Sequence, residues 1–404
     1  MVLRVLDTLS GRVRSITRRA KRPIGMYVCG PTVYAPTHVG HARTYLYFDI
    51  VRRSFLADGV PVRHVMNITD FEEKIDRRAD ALGLTWRTLA RREERGFFRD
   101  LDALGILRPT YHPRASDFIP RMVRLAARLE KVGRVRRKEN TWYYCPPDRP
   151  REANFPVSTE LAAHAVPEPG HPFPEKGAAT EFMLWQRQDP PLPSWRGPWG
   201  PGMPGWHLEC YAMAEQYLGI PVDLHGGGLD LVYPHHHAEN EIALALTGRP
   251  FARFFLHTAF VLQQGKKMSK STQNLVSIRD ALAIASPPGL RWYLVGPRYS
   301  ERLEWRVGDL RAATEEHREA RRTISAWFRG SGRGGPAAAD ARNLARAVRD
   351  DLSCDLGTPA AIARVRDFTS ALRATAAGGI PRGDRPAARR AIAEVEMRLG
   401  IPLA

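Results

Sequence analysis

Residues 24–70 carry the pattern that most restricts the fold of this chain. Ile24–Cys29 is a short apolar run of strand character, a loop continues through Pro36, a helical stretch runs from about His38 to Asp58, and Val62–Asn67 is a second apolar run ending at Thr69-Asp70. A strand, a crossover helix and a second strand form a βαβ unit, which implies a parallel sheet covered by helices. The crossover opens with His38-Val39-Gly40-His41, two imidazoles one tight turn apart at a helix start. Free N–H groups and the helix dipole favour an anion at such a place. Gly40 would let the backbone come close to it. Far downstream lies Lys267-Met268-Ser269-Lys270-Ser271, a cationic loop whose lysines could neutralise a departing anion.

The remaining organisation is less regular. Residues 72–106 and 115–133 read as amphipathic helices. From Lys138 to Pro204 the chain is crowded with Pro, Gly and Trp, its periodicity is poor, and it reads as an insertion between two halves of one sheet. Gly205–Gly219 reads as a helix, Val222–His225 as a strand, His235–Leu246 as a helix and Phe254–Val261 as a strand. Beyond about Arg306 the sequence is helical and rich in Ala and Arg. The expected division is a first catalytic half over 1–135, an insertion over 136–203, a second half over 204–305 and a helical domain over 306–404.

The chain has 404 residues, 61 Lys+Arg against 43 Asp+Glu, and a formal net charge of +18. Such a surplus points to a polyanionic partner such as RNA. No apolar run is long enough to span a bilayer, and the basic N-terminus lacks an apolar leader core, so a cytoplasmic protein with no membrane partner is expected. Four scattered cysteines exclude a disulfide framework. Two of them join a candidate metal set: Cys29, Cys210, His235 and Glu239. His235 and Glu239 are spaced i, i+4 and share a helix face, and all four residue types are acceptable zinc ligands. His236 and His237 are adjacent, and His235 is preferred because it pairs with Glu239.

Further segments make a resemblance specific. Met26-Tyr27-Val28-Cys29-Gly30-Pro31-Thr32-Val33-Tyr34, Asn67-Ile68-Thr69-Asp70, Pro204-Gly205-Trp206-His207-Leu208-Glu209-Cys210, His225-Gly226-Gly227-Gly228 and Pro234-His235-His236 accompany the two motifs. Together they resemble the cysteinyl-tRNA synthetase family of class I aminoacyl-tRNA synthetases. The resemblance implies an α/β fold, in which a split Rossmann domain with an insertion is followed by an α-helical C-terminal domain. It implies a ligase that activates L-cysteine with ATP and Mg2+, and one zinc ion per chain held by Cys29, Cys210, His235 and Glu239. By the same resemblance His38, His41, Lys267 and Lys270 serve catalysis. Gly40, His225, Gly226, Gly227, Gly228, Asp230, Met268, Ser269 and Ser271 hold the nucleotide, and Tyr27, Thr69 and Trp206 line the amino-acid pocket. Zinc prefers sulfur to oxygen, so cysteine could be told from serine without an editing domain.

The acceptor is the open question at this level. The charge, Glu239, His225 and Lys74 favour tRNA. A shortened relative, the mycothiol-pathway cysteine ligase, passes cysteine to an amine instead. The chain resembles it in showing no separate anticodon-binding domain after the helical region. Leu229, His237-Ala238, Ala259-Phe260 and Thr272-Gln273 are unusual at their motif positions. A third reading is a non-catalytic, synthetase-like RNA-binding protein. A monomer is expected.

Overall fold

The computed structural model describes residues 2–18, 22–147, 155, 181–188, 193–268, 274–330, 338–375 and 379–404. Its N-terminal hairpin pairs β1 (Leu3–Asp7) with β2 (Arg12–Ile16). The central sheet is parallel throughout, in the order β11 (Phe255–Thr258), β10 (Leu224–Gly228), β3 (Ile24–Val28), β4 (Val62–Met66). Strands covered on both faces read as continuous apolar runs rather than alternating ones, and Met26, Tyr27 and Val28 of β3 are all buried.

The crossover from β3 to β4 is α1 (Val39–Ala57), buried on nearly every side. The next stretch differs from the single helix expected over 72–106. It forms α2 (Glu73–Asp80) and α3 (Trp86–Ala103), separated by a turn in which Gly83 takes φ +63°. A 3-10 turn at Ala115–Phe118 then leads into α4 (Ile119–Lys131).

The poorly periodic stretch contains a five-stranded antiparallel sheet. Its strands are β5 (Val135–Lys138), β6 (Thr141–Tyr144), β7 (Phe182–Arg187), β8 (Trp195–Gly197) and β9 (Gly200–Pro204), in the order β5-β6-β7-β9-β8. Gly197, Gly202 and Gly205 let backbone and the Trp185 ring pack closer than any side chain would permit.

After it come α5 (His207–Tyr217), β10, a π-helical turn over Val232–His236, and α6 (His237–Thr247), so His235 and His236 precede the helix expected to start at His235. The expected strand Phe254–Val261 is two: β11 in the central sheet, and β12 (Val261–Gln263), which pairs with β13 (Lys266–Lys267) and β14 (Leu303–Glu304) in a second sheet. Gln264 and Gly265, both at positive φ, make the two-residue turn between β12 and β13.

Helices α7 (Ile278–Ile284) and α8 (Pro287–Leu294) lead to α9 (Val307–Arg329), α10 (Ala338–Ser353), α11 (Thr358–Ala374) and α12 (Arg385–Leu399). This region docks on α1 through buried charges. Arg291 of α8 reaches Asp49 at 2.5 Å, and Arg398 of α12 reaches Asp58 at 2.5 Å. No described helix is long and apolar enough to cross a membrane.

Candidate active site and metal centre

The chain runs from β3 through α1 to β4 on one side, and β10 and β11 lie on the other. The strand order therefore reverses between β3 and β10. In open parallel sheets, ligands bind in the crevice beyond the carboxyl ends at such a point. Cys29 follows β3 there, and His225 and the three glycines lie within β10 rather than after it. A Cβ at Gly226 would meet the Leu256 carbonyl oxygen at 1.8 Å, and one at Gly227 would meet Leu231 at 2.7 Å. Strand backbone thus forbids a side chain at Gly226, and at Gly227 one would have to displace the Leu231 side chain.

Two overlapping groups could hold a metal: Cys29, Cys210, His235 and Glu239, or Cys29, His225, His236 and Glu239. All six residues are buried. The first is a good fit to zinc. Tetrahedral geometry puts two thiolates at ~3.8 Å and nitrogen and oxygen donors at ~3.4 Å from each other, given usual zinc bond lengths. The Cys29 and Cys210 sulfurs stand 3.8 Å apart, and His235 Nε2 lies 3.4 Å from Glu239 Oε1. Glu239 Oε1 is buried without a hydrogen bond, as a ligand atom awaiting a cation would be. His207 Nδ1 lies 3.0 Å from His235 Nδ1, the second contact that orients a ligating imidazole. Trp206 stacks on His235 at 4.1 Å.

The second group needs His225, whose two ring nitrogens are already engaged. Nδ1 lies 3.0 Å from the Tyr27 carbonyl and Nε2 lies 2.8 Å from Glu239 Oε2. A carbonyl can only accept, so Nδ1 is the donor. The contact between Nε2 and the carboxylate then needs a further proton between them. His225 therefore positions Glu239. His236 approaches Cys29 at 3.3 Å and His257 at 2.6 Å, and His257 continues to Thr8 Oγ1 at 2.9 Å.

Burial sets the protonation of this centre. It raises the Cys29 thiol, with help from Cys210 and Glu239, and pushes Cys210 up to about 11. It lowers His235, His236 and His257, with neighbouring imidazoles adding to the effect, so these rings stay neutral and able to ligate. Ion binding requires the thiols to ionise.

At the head of α1 the His38 and His41 rings stack at 3.7 Å. His38 is also the N-cap, its Nδ1 accepting from the Gly40 N–H at 3.1 Å. A Cβ on Gly40 would lie 2.9 Å from that ring, so the glycine makes room for His38 itself. Lys267 ends β13, reaches Asp230 at 2.9 Å and lies over the Phe260 ring at 4.3 Å. Met268 is buried, with its N–H on the Val261 carbonyl. Ser269, Lys270 and Ser271 lie outside the described residues, as does the Thr272-Gln273 pair.

Thr69 donates to Glu209 Oε2 at 2.8 Å and accepts from Asn67 at 3.2 Å, beside the metal cluster. Tyr27 is fully buried against His225 and Phe251, its hydroxyl raised by burial and by the adjacent thiols. Sequence reasoning missed several neighbours. Glu209 had a signal, a carboxylate next to Cys210. Arg43 had none: it is wholly buried, and its guanidinium donates to the carbonyls of Ala259 at 2.9 Å and Arg298 at 2.7 Å, tying α1 to the chain that leads into β12.

Comparison with known proteins agrees with this architecture. Residues 15–315 match the family model described as the class I (C) tRNA synthetase catalytic domain. The chain is 40% identical over 391 residues to a cysteine–tRNA ligase of Anaeromyxobacter sp. (strain K), covering 92% of this chain and 78% of that one. It is 35% identical over 409 residues to one from Syntrophotalea carbinolica, covering 99% and 84%. Among solved structures, Mycobacterium tuberculosis methionyl-tRNA synthetase with methionyl-adenylate aligns at TM-score 0.64 and 16% identity, covering 93% of this chain and 90% of that one. A leucyl-tRNA synthetase complex from Agrobacterium radiobacter K84 aligns at 0.67 and 10%, covering 94% and 84%. A sheet that reverses order at Cys29, a helix capped by His38 and a sequence match across three-quarters of its length lead to one conclusion: the chain is a ligase of the cysteinyl-tRNA synthetase family.

Proposed function

We propose that this protein activates L-cysteine with ATP and transfers it to the 3′ end of tRNA, acting as a cytoplasmic monomer. The observation that carries the reading is the spacing of Cys29, Cys210, His235 and Glu239, which fits the edges of a zinc tetrahedron at the mouth of the switch-point crevice. The domain division that goes with it is 1–135, 136–203, 204–305 and 306–404. Zinc bound by these four residues supplies a preference for a substrate thiolate over a hydroxyl.

The chain's own residues perform the rest. Trp206 and Thr69 bound the amino-acid pocket next to the metal ligands, and the buried Tyr27 backs it. His38 and His41, at the positive end of α1, hold the ATP phosphates, with Mg2+ accompanying the nucleotide. Gly40 clears the space that His38 needs. The backbone of Gly226, Gly227 and Gly228 borders the adenosine, and Asp230 takes the ribose hydroxyls. Lys267, at the end of β13, and Lys270 neutralise the pyrophosphate as the cysteine carboxylate attacks the α-phosphorus, with Met268, Ser269 and Ser271 completing the nucleotide-binding motif. The relatives' shared name, cysteine–tRNA ligase, supports tRNA as the acceptor.

The test is cysteine-dependent exchange of pyrophosphate into ATP, followed by transfer of labelled cysteine to tRNA or to glucosaminyl-inositol. Base-labile label on RNA is the expected result. Amide product with uncharged tRNA would make the protein an amine ligase. Absence of exchange would leave only an RNA-binding role.

A further inference from the structure

Helix α3 carries arginine at every fourth position: Arg87, Arg91, Arg95 and Arg99, all exposed. At 1.5 Å per residue these four side chains step along the helix by roughly 6 Å each, over about 18 Å in total. The opposite face is buried through Leu89, Ala90, Phe97, Phe98 and Leu101. The acids of the same helix are engaged elsewhere: Glu93 pairs with Arg92, Glu94 is buried with Arg114, and Asp102 pairs with Arg108. Among the described residues no ion pair joins a carboxylate to Arg87, Arg91 or Arg95, while Arg99 favours the charged form of the neighbouring Asp100. Arg87 instead lies over the Trp86 ring at 4.4 Å.

Gly96 flanks this ridge, one turn after Arg92 and one turn before Arg99. Glycine weakens a helix interior relative to alanine. A Cβ here would meet nothing within 4 Å, so no neighbour in the protein requires the glycine. The helix surface at Gly96 therefore leaves open space beside the ridge.

The buried face behind the ridge places α3 beside the head of α1, so the ridge runs along the outer side of a helix that flanks the site. Phe97 packs edge-on against Tyr45 at 5.4 Å, and Tyr45 lies 6.4 Å from the His41 ring. Asp100 takes a hydrogen bond from Thr37, the residue before His38, with Arg279 of α7 close by.

We propose that α3 is a docking rail for one strand of RNA, whose phosphates lie along Arg87, Arg91, Arg95 and Arg99 and whose backbone presses into the notch at Gly96. The arginine step is comparable to the step between successive phosphates of one strand. The planar guanidinium suits phosphate, and contacts of this kind are independent of base sequence. The inference rests on the reading that an RNA 3′ end enters the crevice, and it assigns the route by which that end arrives. An anionic membrane is disfavoured because the ridge has no large apolar side chains to insert between its arginines.

The test uses the full chain with and without Arg87→Gln, Arg91→Gln, Arg95→Gln and Arg99→Gln combined. Binding of a fluorescent cysteine tRNA transcript is measured across a range of KCl concentrations. The combined variant should lose at least thirtyfold in affinity at moderate salt, and the slope of log affinity against log salt should flatten by about 3. Cysteine-dependent pyrophosphate exchange, which uses no RNA, serves as the check on folding and should stay within twofold. Gly96→Ala should raise the melting temperature yet weaken RNA binding several-fold, an outcome that a purely structural role does not give. If the combined variant fails to fold, Arg91→Gln and Arg95→Gln singly should each flatten the slope by about 0.8. RNA affinity and slope unchanged in the variants overturn the proposal, as does wild-type protein that binds phosphatidylserine vesicles but no RNA. Loss of pyrophosphate exchange in the wild type would defeat the cysteine-activation reading and leave the binding comparison intact.

Discussion

Lys267 Nζ and Asp230 Oδ2 lie 2.9 Å apart, joining the last residue of β13 to the turn that follows β10. Both side chains are about a quarter to a third exposed, and pairs of this kind contribute at most ~1 kcal/mol. The proposed function implies that a nucleotide separates them, drawing the lysine to phosphate and the aspartate to ribose. Asp230→Asn should raise the KM for ATP about tenfold with the KM for cysteine unchanged. Lys267→Ala should instead lower kcat of pyrophosphate exchange about a hundredfold. Equal effects of the two variants on kcat and KM would show that the pair acts only as a structural tie.

The metal centre makes a prediction about stoichiometry. Wild-type protein should carry one zinc by elemental analysis, and Cys29→Ser or Cys210→Ser should carry almost none. Zinc added to metal-free protein at pH 7.5 should release close to two protons, read with a weakly buffered indicator, because burial keeps both thiols protonated until the ion arrives. His225→Gln should retain the site with zinc affinity lowered about tenfold to a hundredfold, the usual size of an outer-contact effect. A larger loss than in Cys210→Ser would make His225 a ligand and favour the alternative group.

His38 combines two jobs that can be separated. As N-cap it stabilises α1, and a cap is worth about 1 kcal/mol. As a ring stacked on His41 it is placed for the phosphate-binding role proposed above. His38→Asn should keep the melting temperature, since asparagine caps well, while exchange falls at least a hundredfold. His38→Ala should lose both. His41→Ala should lose activity with little change in stability, and a large drop in its melting temperature would contradict this separation.

His64 of β4 is almost fully buried, and neither ring nitrogen has a hydrogen bond. Burial lowers it from its usual 6.5 to about 3, with Arg52 adding to the effect. The folded protein therefore holds a neutral ring that the unfolded chain would protonate below pH 6.5. Its full contribution to stability is present above pH 6.5. It falls as the pH drops towards 3, by about 1.4 kcal/mol for each pH unit. His237, lowered to about 4 by burial, acts in the same direction. Denaturant midpoints should fall between pH 6.5 and 4.5, and His64→Phe should flatten that fall and raise stability at every pH. A midpoint that is level across this range would disprove the assignment.

The parallel sheet was legible because β3, α1 and β4 are contiguous and each obeys its own periodicity. The antiparallel sheet was not. Trp142, Tyr144, Phe182 and Trp185 pack across a long gap in sequence, and Pro and Gly in β8 and β9 hide the alternation. At the metal centre only the His235–Glu239 pair is local. Cys29 and Cys210 meet through tertiary packing, which no spacing rule reaches, so the resemblance to a known family had to join them. The π-helical turn before α6 and the burial of Arg43 against carbonyls left no local signature. Conversely, the four-residue arginine spacing of α3 is plain in the sequence, whereas which face of the helix is exposed is set by tertiary packing.

The wide separation of the metal residues has a consequence during synthesis. Cys29 and Glu239 are 210 positions apart, with Cys210 and His235 near the later end. At translation speeds of ~5–20 residues per second, roughly 10–40 s pass between the emergence of the first ligand and the last. For most of that interval, until Cys210 emerges, Cys29 is a nascent thiol without any other member of the set to share an ion. Its reduced state then depends on the reducing power of its surroundings, and the proposed zinc ligands come together only as the second half of the sheet closes over the first.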